Sequence, residues 1–249
     1  LSKSVGNDFR FFVQVQDTAL VERLLGSSLR LPERSILDGT ISDAIGQIFL
    51  QLHIPQLQIG GQRLQNIDCR AEAGNTSIQT SLQCERIIKG KPVELNLNAF
   101  ATNDKVTTQL RWDNKQTVIH SGNISMTGTI RRDLANRPVV DAKMNNSSLV
   151  IGDSLWEIKP ATVKYHDNII DVENLSISQA ERHINIWGRV SELPTDTLRA
   201  ELADIDISYI MDLVNFHKVD FDGRATGTIE ATSLMKKPLA DAYLHVKDS

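Results

Sequence analysis

The chain has 249 residues, 41% apolar, 23% charged and 5% aromatic, a globular balance that excludes wholesale disorder and collagen-like order. Its formal net charge of −4 argues against nucleic acid as a main partner. No apolar run approaches the roughly 20 residues of a membrane-spanning helix. The sequence opens on Leu1 with no basic-then-apolar leader and reads as an internal piece of a longer protein.

Along the chain, the first element expected is a short helix capped by Asp17 or Thr18, with Leu20, Val21, Leu24 and Leu25 on one face and Gly26 at its end. A hairpin is expected to close at Gly74-Asn75. With Ala73 opposite Thr76, that register pairs Ala71 with Ile78, Cys69 with Thr80, Ile67 with Leu82 and Gln65 with Cys84. The two cysteines then share a face about four residues apart, at about 3.3 Å per residue too far for a disulfide, so both are expected to be free thiols.

The clearest alternation runs from Val93 to Trp112. Leu95, Leu97, Ala99 and Ala101 fall on one face and Glu94, Asn96 and Asn98 on the other, with Asn103-Asp104 as the turn. Thr102 opposite Lys105 pairs Ala101 with Val106, Ala99 with Thr108, Leu97 with Leu110 and Leu95 with Trp112. A one-residue slip would carry Leu110 and Trp112 to the polar side, so the pattern specifies the register. Val118 to Ile130 alternates in the same way. Shorter strands are expected at Ala161–Tyr165, Ile169–Val172, Leu175–Ser178 and Ile184–Val190, with turns at Asp167-Asn168 and Glu181-Arg182. Leu198–Ile207 precedes a second short helix, capped by Ser208 and carrying Ile210, Met211, Leu213 and Val214. Ala225–Thr232 and Tyr243–Val246 complete the strands. Both helices are too short to stand alone in water and must pack on the sheet or plug one end of it.

The tripeptide Gly-Thr-Ile recurs at Gly39, Gly128 and Gly227, spaced by 89 and 99 residues, and Asn66-Ile67 is echoed by Asn174-Leu175. This suggests a single elongated β segment over 1–249 with pseudo-repeats of about 90–100 residues, near 1–38, 39–127, 128–226 and 227–249. A closed sandwich would bury the apolar faces against each other. Hairpin-like turns do not suit a parallel β-helix. The expected fold is mainly β, an elongated sheet curled into an open groove with its apolar face inside, plus the two short helices. The expected lining is Ile67, Ile78, Leu82, Leu95, Leu97, Ala99, Val106, Leu110, Trp112, Ile124 and Met126. Such an aliphatic surface suits chain-like apolar ligands better than a flat ring.

The stretch from Tyr209 to Phe216, then Val219-Asp220-Phe221-Asp222-Gly223-Arg224-Ala225-Thr226-Gly227, then Pro238-Leu239-Ala240-Asp241-Ala242, resembles the TamB-like members of the AsmA-like superfamily, above all the large versions in Bacteroidota. Trp156 to Gly188, with Tyr165-His166-Asp167-Asn168 and Val172-Glu173-Asn174-Leu175, resembles them too. The resemblance implies a taco-shaped β groove in the periplasm, within a protein anchored in the inner membrane by a helix not in this chain. It implies phospholipid acyl chains as cargo between the two membranes, and an outer-membrane partner of the Omp85 type in the assembly of surface proteins.

No catalytic pattern stands out: GxSxG, HExxH and GxxxxGK[ST] are absent, and the six histidines lack metal-ligand spacing. His166 and His217 read as solvated turn residues, and Asp204 and Asp206 as a solvated face. Asp220-Phe221-Asp222-Gly223 reads as a turn without the remaining ligands of a calcium loop. Arg131-Arg132 and Lys236-Lys237 read as strand-end charges. No enzyme activity and no cofactor is expected; a carbohydrate-active enzyme would need acidic pairs in an aromatic cleft, and three tryptophans and three tyrosines supply few sugar platforms. The alternative to a lipid groove is a structural β-sandwich or solenoid module that binds proteins, or a second copy of itself, through strand edges.

Overall fold

A computed structural model describes residues 8–14, 29–30, 34–59, 62–88, 90–151, 154–206 and 223–247. Both expected helices, and most of the Tyr209–Gly227 stretch, lie outside the described residues. The protein is mainly β: its strands are antiparallel, and no helix occurs among the described residues. The chain divides into two compact units, Leu1–Ser125 and Met126–Ser249.

The first unit holds β1 (Asp8–Gln14), β2 (Leu29–Arg30), β3 (Ile36–Ser42), β4 (Gln47–Ile59), β5 (Gln62–Ala73), β6 (Ser77–Ile88), β7 (Lys91–Thr102), β8 (Lys105–Asp113) and the start of β9 (His120–Arg132). Strands β3 to β8 form a meander; β1 pairs with β3, and β2 with the far end of β4. The β7–β8 hairpin has the register read from its alternation, with Leu95 opposite Trp112 and Leu97 opposite Leu110.

The β5–β6 hairpin differs from expectation by two residues: Ala73 pairs with Ile78, Ala71 with Thr80 and Cys69 with Leu82. A two-residue type I′ turn needs positive φ at both central residues, and neither Gly74 nor Asn75 has it. The chain instead uses a longer loop in which the Gly74 N–H donates to the Ser77 carbonyl at 2.8 Å. A slip of two residues preserves the faces. The slip brings Cys84 from four to two residues away from the partner of Cys69 along the strand; Cys84 pairs with Leu95 on its other side, and both thiols are free.

The second unit holds the rest of β9 and β10 (Pro138–Met144), β11 (Ser147–Ile151), β12 (Ser154–Ile158), β13 (Ala161–His166), β14 (Ile169–Gln179), β15 (Arg182–Val190), β16 (Thr197–Asp206), β17 (Arg224–Thr232) and β18 (Leu239–Lys247). β10 lies between β9 and β13, and β14 to β18 form a second meander. The runs expected separately at 169–172 and 175–178 are one strand. β13 pairs with its first half and β12 with its second.

Three β-bulges recur with one signature. The register shifts at Asn66 (φ 51°), Asn174 (φ 51°) and Asp204 (φ 53°), each in the left-handed region that Asn and Asp tolerate best among residues with a side chain. The sequences read Leu64-Gln65-Asn66-Ile67, Val172-Glu173-Asn174-Leu175 and Leu202-Ala203-Asp204-Ile205. Two apolar residues three apart would point to opposite faces of a regular strand. The extra residue returns the second one to the face of the first. Ile67 packs with Leu64, and Ile205 with Leu202, in two buried clusters. Asp204 is not simply solvated: it sits on the bulge, with Arg224 Nη1 donating to its carboxylate at 2.7 Å.

The Gly-Thr-Ile triplets lie in β3, β9 and β17. In each, the glycine and isoleucine face the apolar side of the sheet, as their partners show: Leu50 and Ile48, Ala142 and Val140, Leu244 and Ala242. At Gly227 (φ 152°) a Cβ would fall 2.1 Å from the Tyr243 carbonyl oxygen, so no other residue fits there without backbone movement.

Candidate functional site: an apolar face with an open margin

In the first unit the strand registers align the apolar side chains into rows that cross the strands. The row nearest the Asn66 bulge runs through Ile54, Ile67, Cys84, Leu95 and Trp112. The next contains Val13, Leu37, Leu52, Cys69, Leu82, Leu97 and Leu110, and a third Phe11, Gly39, Leu50, Ala71, Thr80, Ala99 and Thr108. The last, beside the hairpin tips, contains Phe9, Ile41, Ile48, Ala73, Ile78, Ala101 and Val106. Trp112 lies over Gly122, where a Cβ would meet the indole ring at 2.2 Å, and Ile124 follows on the same side. The reverse face is polar, with His53 Nδ1 and Asp68 Oδ1 2.9 Å apart and Gln109 Nε2 donating to Asn123 Oδ1 at 3.0 Å.

Exposure changes systematically across these rows. Ile54, Ile67 and Cys84 are buried. Leu82, Leu95, Leu97, Ala99, Val106, Leu110, Trp112 and Ile124 are half-buried. At the hairpin tips Phe9 is 59% and Ile78 52% exposed, and Ile41 and Ile48 are exposed as well. The apolar face is therefore buried across the middle of the strands and open toward the hairpin tips, and Ile88, beyond the buried row on the same side of β6, is exposed as well. Burial raises the Cys84 thiol pKa, helped by the neighbouring Glu85 carboxylate.

The second unit repeats the arrangement. Met126 opposes Met144, and the apolar face continues through Ile130, Val140, Val163, Val172, Ile184 and Ile186 to Ile229 and Leu244. Its buried margin is Trp156, Leu202 and Ile205, with Ile205 fully buried and Trp156 2% exposed. On this face Ile130 and Val246 are exposed. Within the buried margin Trp156 Nε1–H and Gln179 Oε1 make no hydrogen bond. Ile158 pairs with Ile177, which sets these two side chains at facing positions one step further along the strands.

The polar face of this unit is tied by ion pairs across the strands: Arg131 with Asp141 at 3.2 Å, Arg189 with Asp171 at 2.8 Å and Arg199 with Glu230 at 2.8 Å. At one set of turns Asp133 accepts hydrogen bonds from the N–H groups of Ala135 and Arg137 and from Arg137 Nε, and His166 Nε2 lies 3.0 Å away. These contacts hold the Asp133 carboxyl well below the usual carboxylate range. His166 is thus part of a cross-turn cluster instead of a free solvated side chain.

Of the lining expected from the sequence, all but Met126 lie in the first unit, and Met126 lies in the second. The sequence reading missed the apolar sides of β1, β3 and β4, although Ile48, Leu50, Leu52 and Ile54 alternate as plainly as β7. It also missed the β11–β12 hairpin and Trp156. Among the described residues no group of three or more His, Cys, Asp or Glu is placed to hold a metal ion. No family model, no curated protein and no solved structure matches the chain.

Proposed function

We propose that the chain is a segment of a bridge-like envelope protein that carries phospholipid acyl chains along its apolar face between the inner and outer membranes. In this reading it lies in the periplasm and also supports outer-membrane protein assembly with an Omp85-type partner. One observation carries the proposal: a face of large aliphatic side chains runs across successive strands and grades from buried to open. Acyl methylenes would lie against the half-buried rows, each contributing about 0.8 kcal/mol when removed from water. Charged headgroups would remain hydrated beyond the exposed Phe9, Ile41, Ile48 and Ile78 margin. The lining is aliphatic and repetitive, so a chain could slide from row to row without any bond being made or broken.

A second reading, a structural module that joins other proteins through strand edges, draws on β18. It pairs with β17, and its Leu239, Tyr243 and Val246 are exposed. The two readings separate by extraction of the purified chain with organic solvent and mass spectrometry of the extract. Co-purified phospholipid in stoichiometric amount is the expected result. An empty extract, together with no uptake of a fluorescent long-chain fatty acid, would leave the edge-binding module as the better account.

A further inference from the structure

The polar faces of the two units are built differently. In the second unit cross-strand ion pairs occupy the charged side chains. In the first, Arg70, Ser81, Gln83, Asn96 and Asn98 surround a depression of about 370 Å³, and none of their side chains hydrogen-bonds to a described residue. Asn96 and Ser81 are half-buried, so these are not all freely waving surface groups. Asn is also poorly suited to the interior of a sheet, yet two occur on β7, which is paired on both sides by β6 and β8. A β-branched residue would stabilise those positions better. The amide cluster is thus a local cost that neither packing nor internal hydrogen bonding explains.

We propose that this face binds an extended, uncharged glycan chain lying across the strands. Arg70, Ser81 and Asn98 occupy one row, because Arg70 pairs with Ser81 and Ser81 with Asn98. Such a row offers one hydrogen-bonding side chain per strand, at a spacing of about 4.8 Å, close to the rise of one sugar unit in an extended β-linked polysaccharide. Amide and hydroxyl groups both donate and accept, as sugar hydroxyls do. Asp68, the carboxylate in the depression, is engaged by His53 and opposed in sign by Arg70, so the site favours neither anions nor cations. A neighbouring cavity of about 360 Å³ is lined by Phe49 and Phe100. Phe100 stands two residues from Asn98 on the same face and is 46% exposed, which presents its ring to the apolar side of a pyranose. This site is on the face opposite the proposed lipid path and does not depend on it.

The test titrates the 249-residue chain with cellohexaose and with chitohexaose, following the side-chain amide resonances of Asn96 and Asn98 by NMR. Saturable shifts at those amides with at least one of the two sugars are expected. Asn98→Val and Phe100→Ala should each weaken binding by roughly tenfold, with the Asn98→Val protein at least as stable to urea as the parent. Glu230→Gln, in the second unit, should leave binding unchanged. Absence of saturation with both sugars, undiminished binding by Asn98→Val and Phe100→Ala, or perturbation of the same amides by an extended peptide but by neither sugar would each overturn the proposal.

Discussion

Replacing Leu97 by Glu separates an open apolar face from a sealed core. Leu97 stands mid-strand on β7 between Leu82 and Leu110 and is half-buried. Complete burial of a leucine is worth about 1.5–3 kcal/mol, so losing a half-buried one costs roughly half of that. The poorer strand propensity of Glu adds up to about 1 kcal/mol. The new carboxylate can stay hydrated at the open side, which limits the total to about 1–2.5 kcal/mol. Ile205→Glu is the internal control. Ile205 is fully buried against Trp156 and Leu202, so its carboxylate would be left unpaired and dry, at a cost of more than about 4 kcal/mol. Urea titrations followed by circular dichroism should show Leu97→Glu folded with a lowered midpoint and Ile205→Glu largely unfolded. Binding of a fluorescent long-chain fatty acid should fall at least roughly tenfold in Leu97→Glu, because the charge interrupts several methylene contacts at about 0.8 kcal/mol each. If Leu97→Glu unfolds as completely as Ile205→Glu, the face is a sealed core. If it stays folded and binds the fatty acid undiminished, the face is not the path.

The remaining predictions test the framework that presents this face. Cys69 should react with a maleimide faster than Cys84, because Cys84 is buried and its thiol pKa is raised, and loading with fatty acid should slow the Cys69 reaction. Gly227→Ala should lower stability by about 1–3 kcal/mol in urea melts, since a Cβ there meets the Tyr243 carbonyl oxygen at 2.1 Å, whereas Gly74→Ala, at an ordinary φ with its nearest neighbour Ser77 Oγ 4.0 Å away, should change stability by no more than about 1 kcal/mol. Asp133 has a depressed folded-state pKa, so its contribution to stability is present above the unfolded value of about 3.9 and is lost as pH falls toward the folded one. Asp133→Asn should therefore be less stable than the parent at neutral pH, and its stability should fall less steeply below about pH 4. Unfolding curves collected across that range check both statements.

What was legible in the sequence depended on how far simple alternation holds. Strands β7 and β8 alternate without interruption, and their register follows because a one-residue slip would expose Leu110 and Trp112 on the polar side. The β5–β6 hairpin misleads because Gly-Asn has the composition of a tight turn while the chain adopts a wider one. At Asn66, Asn174 and Asp204 the alternation changes phase. A strict period-two reading splits β14 in two for that reason, although the spacing of aliphatic, two intervening residues ending in Asn or Asp, then aliphatic is visible once the bulge is known. Strands β10 to β12 are short, and their apolar residues lack a long alternating run, so Trp156 had no pattern to place it on a face. The open margin could not be read at all, because exposure depends on what packs above a side chain and not on its own strand.

That margin is the least explained feature if the sheet serves only as a scaffold. Buried rows around Ile54, Ile67, Trp156 and Ile205 already fix the registers, and the bulges keep the two faces in phase around them. Threonine would suit an exposed strand position as well as isoleucine does and would keep the surface wet. Yet Phe9, Ile41, Ile48 and Ile78 stand exposed in one row, with half-buried Ala73 between the last two. Contiguous exposed apolar surface invites association and is kept where it meets a ligand or partner. In the proposed lipid-carrying reading, the buried mid-strand row would give an acyl chain a dry floor while the open tips would leave its headgroup in water, a division of labour that a fully buried core lacks.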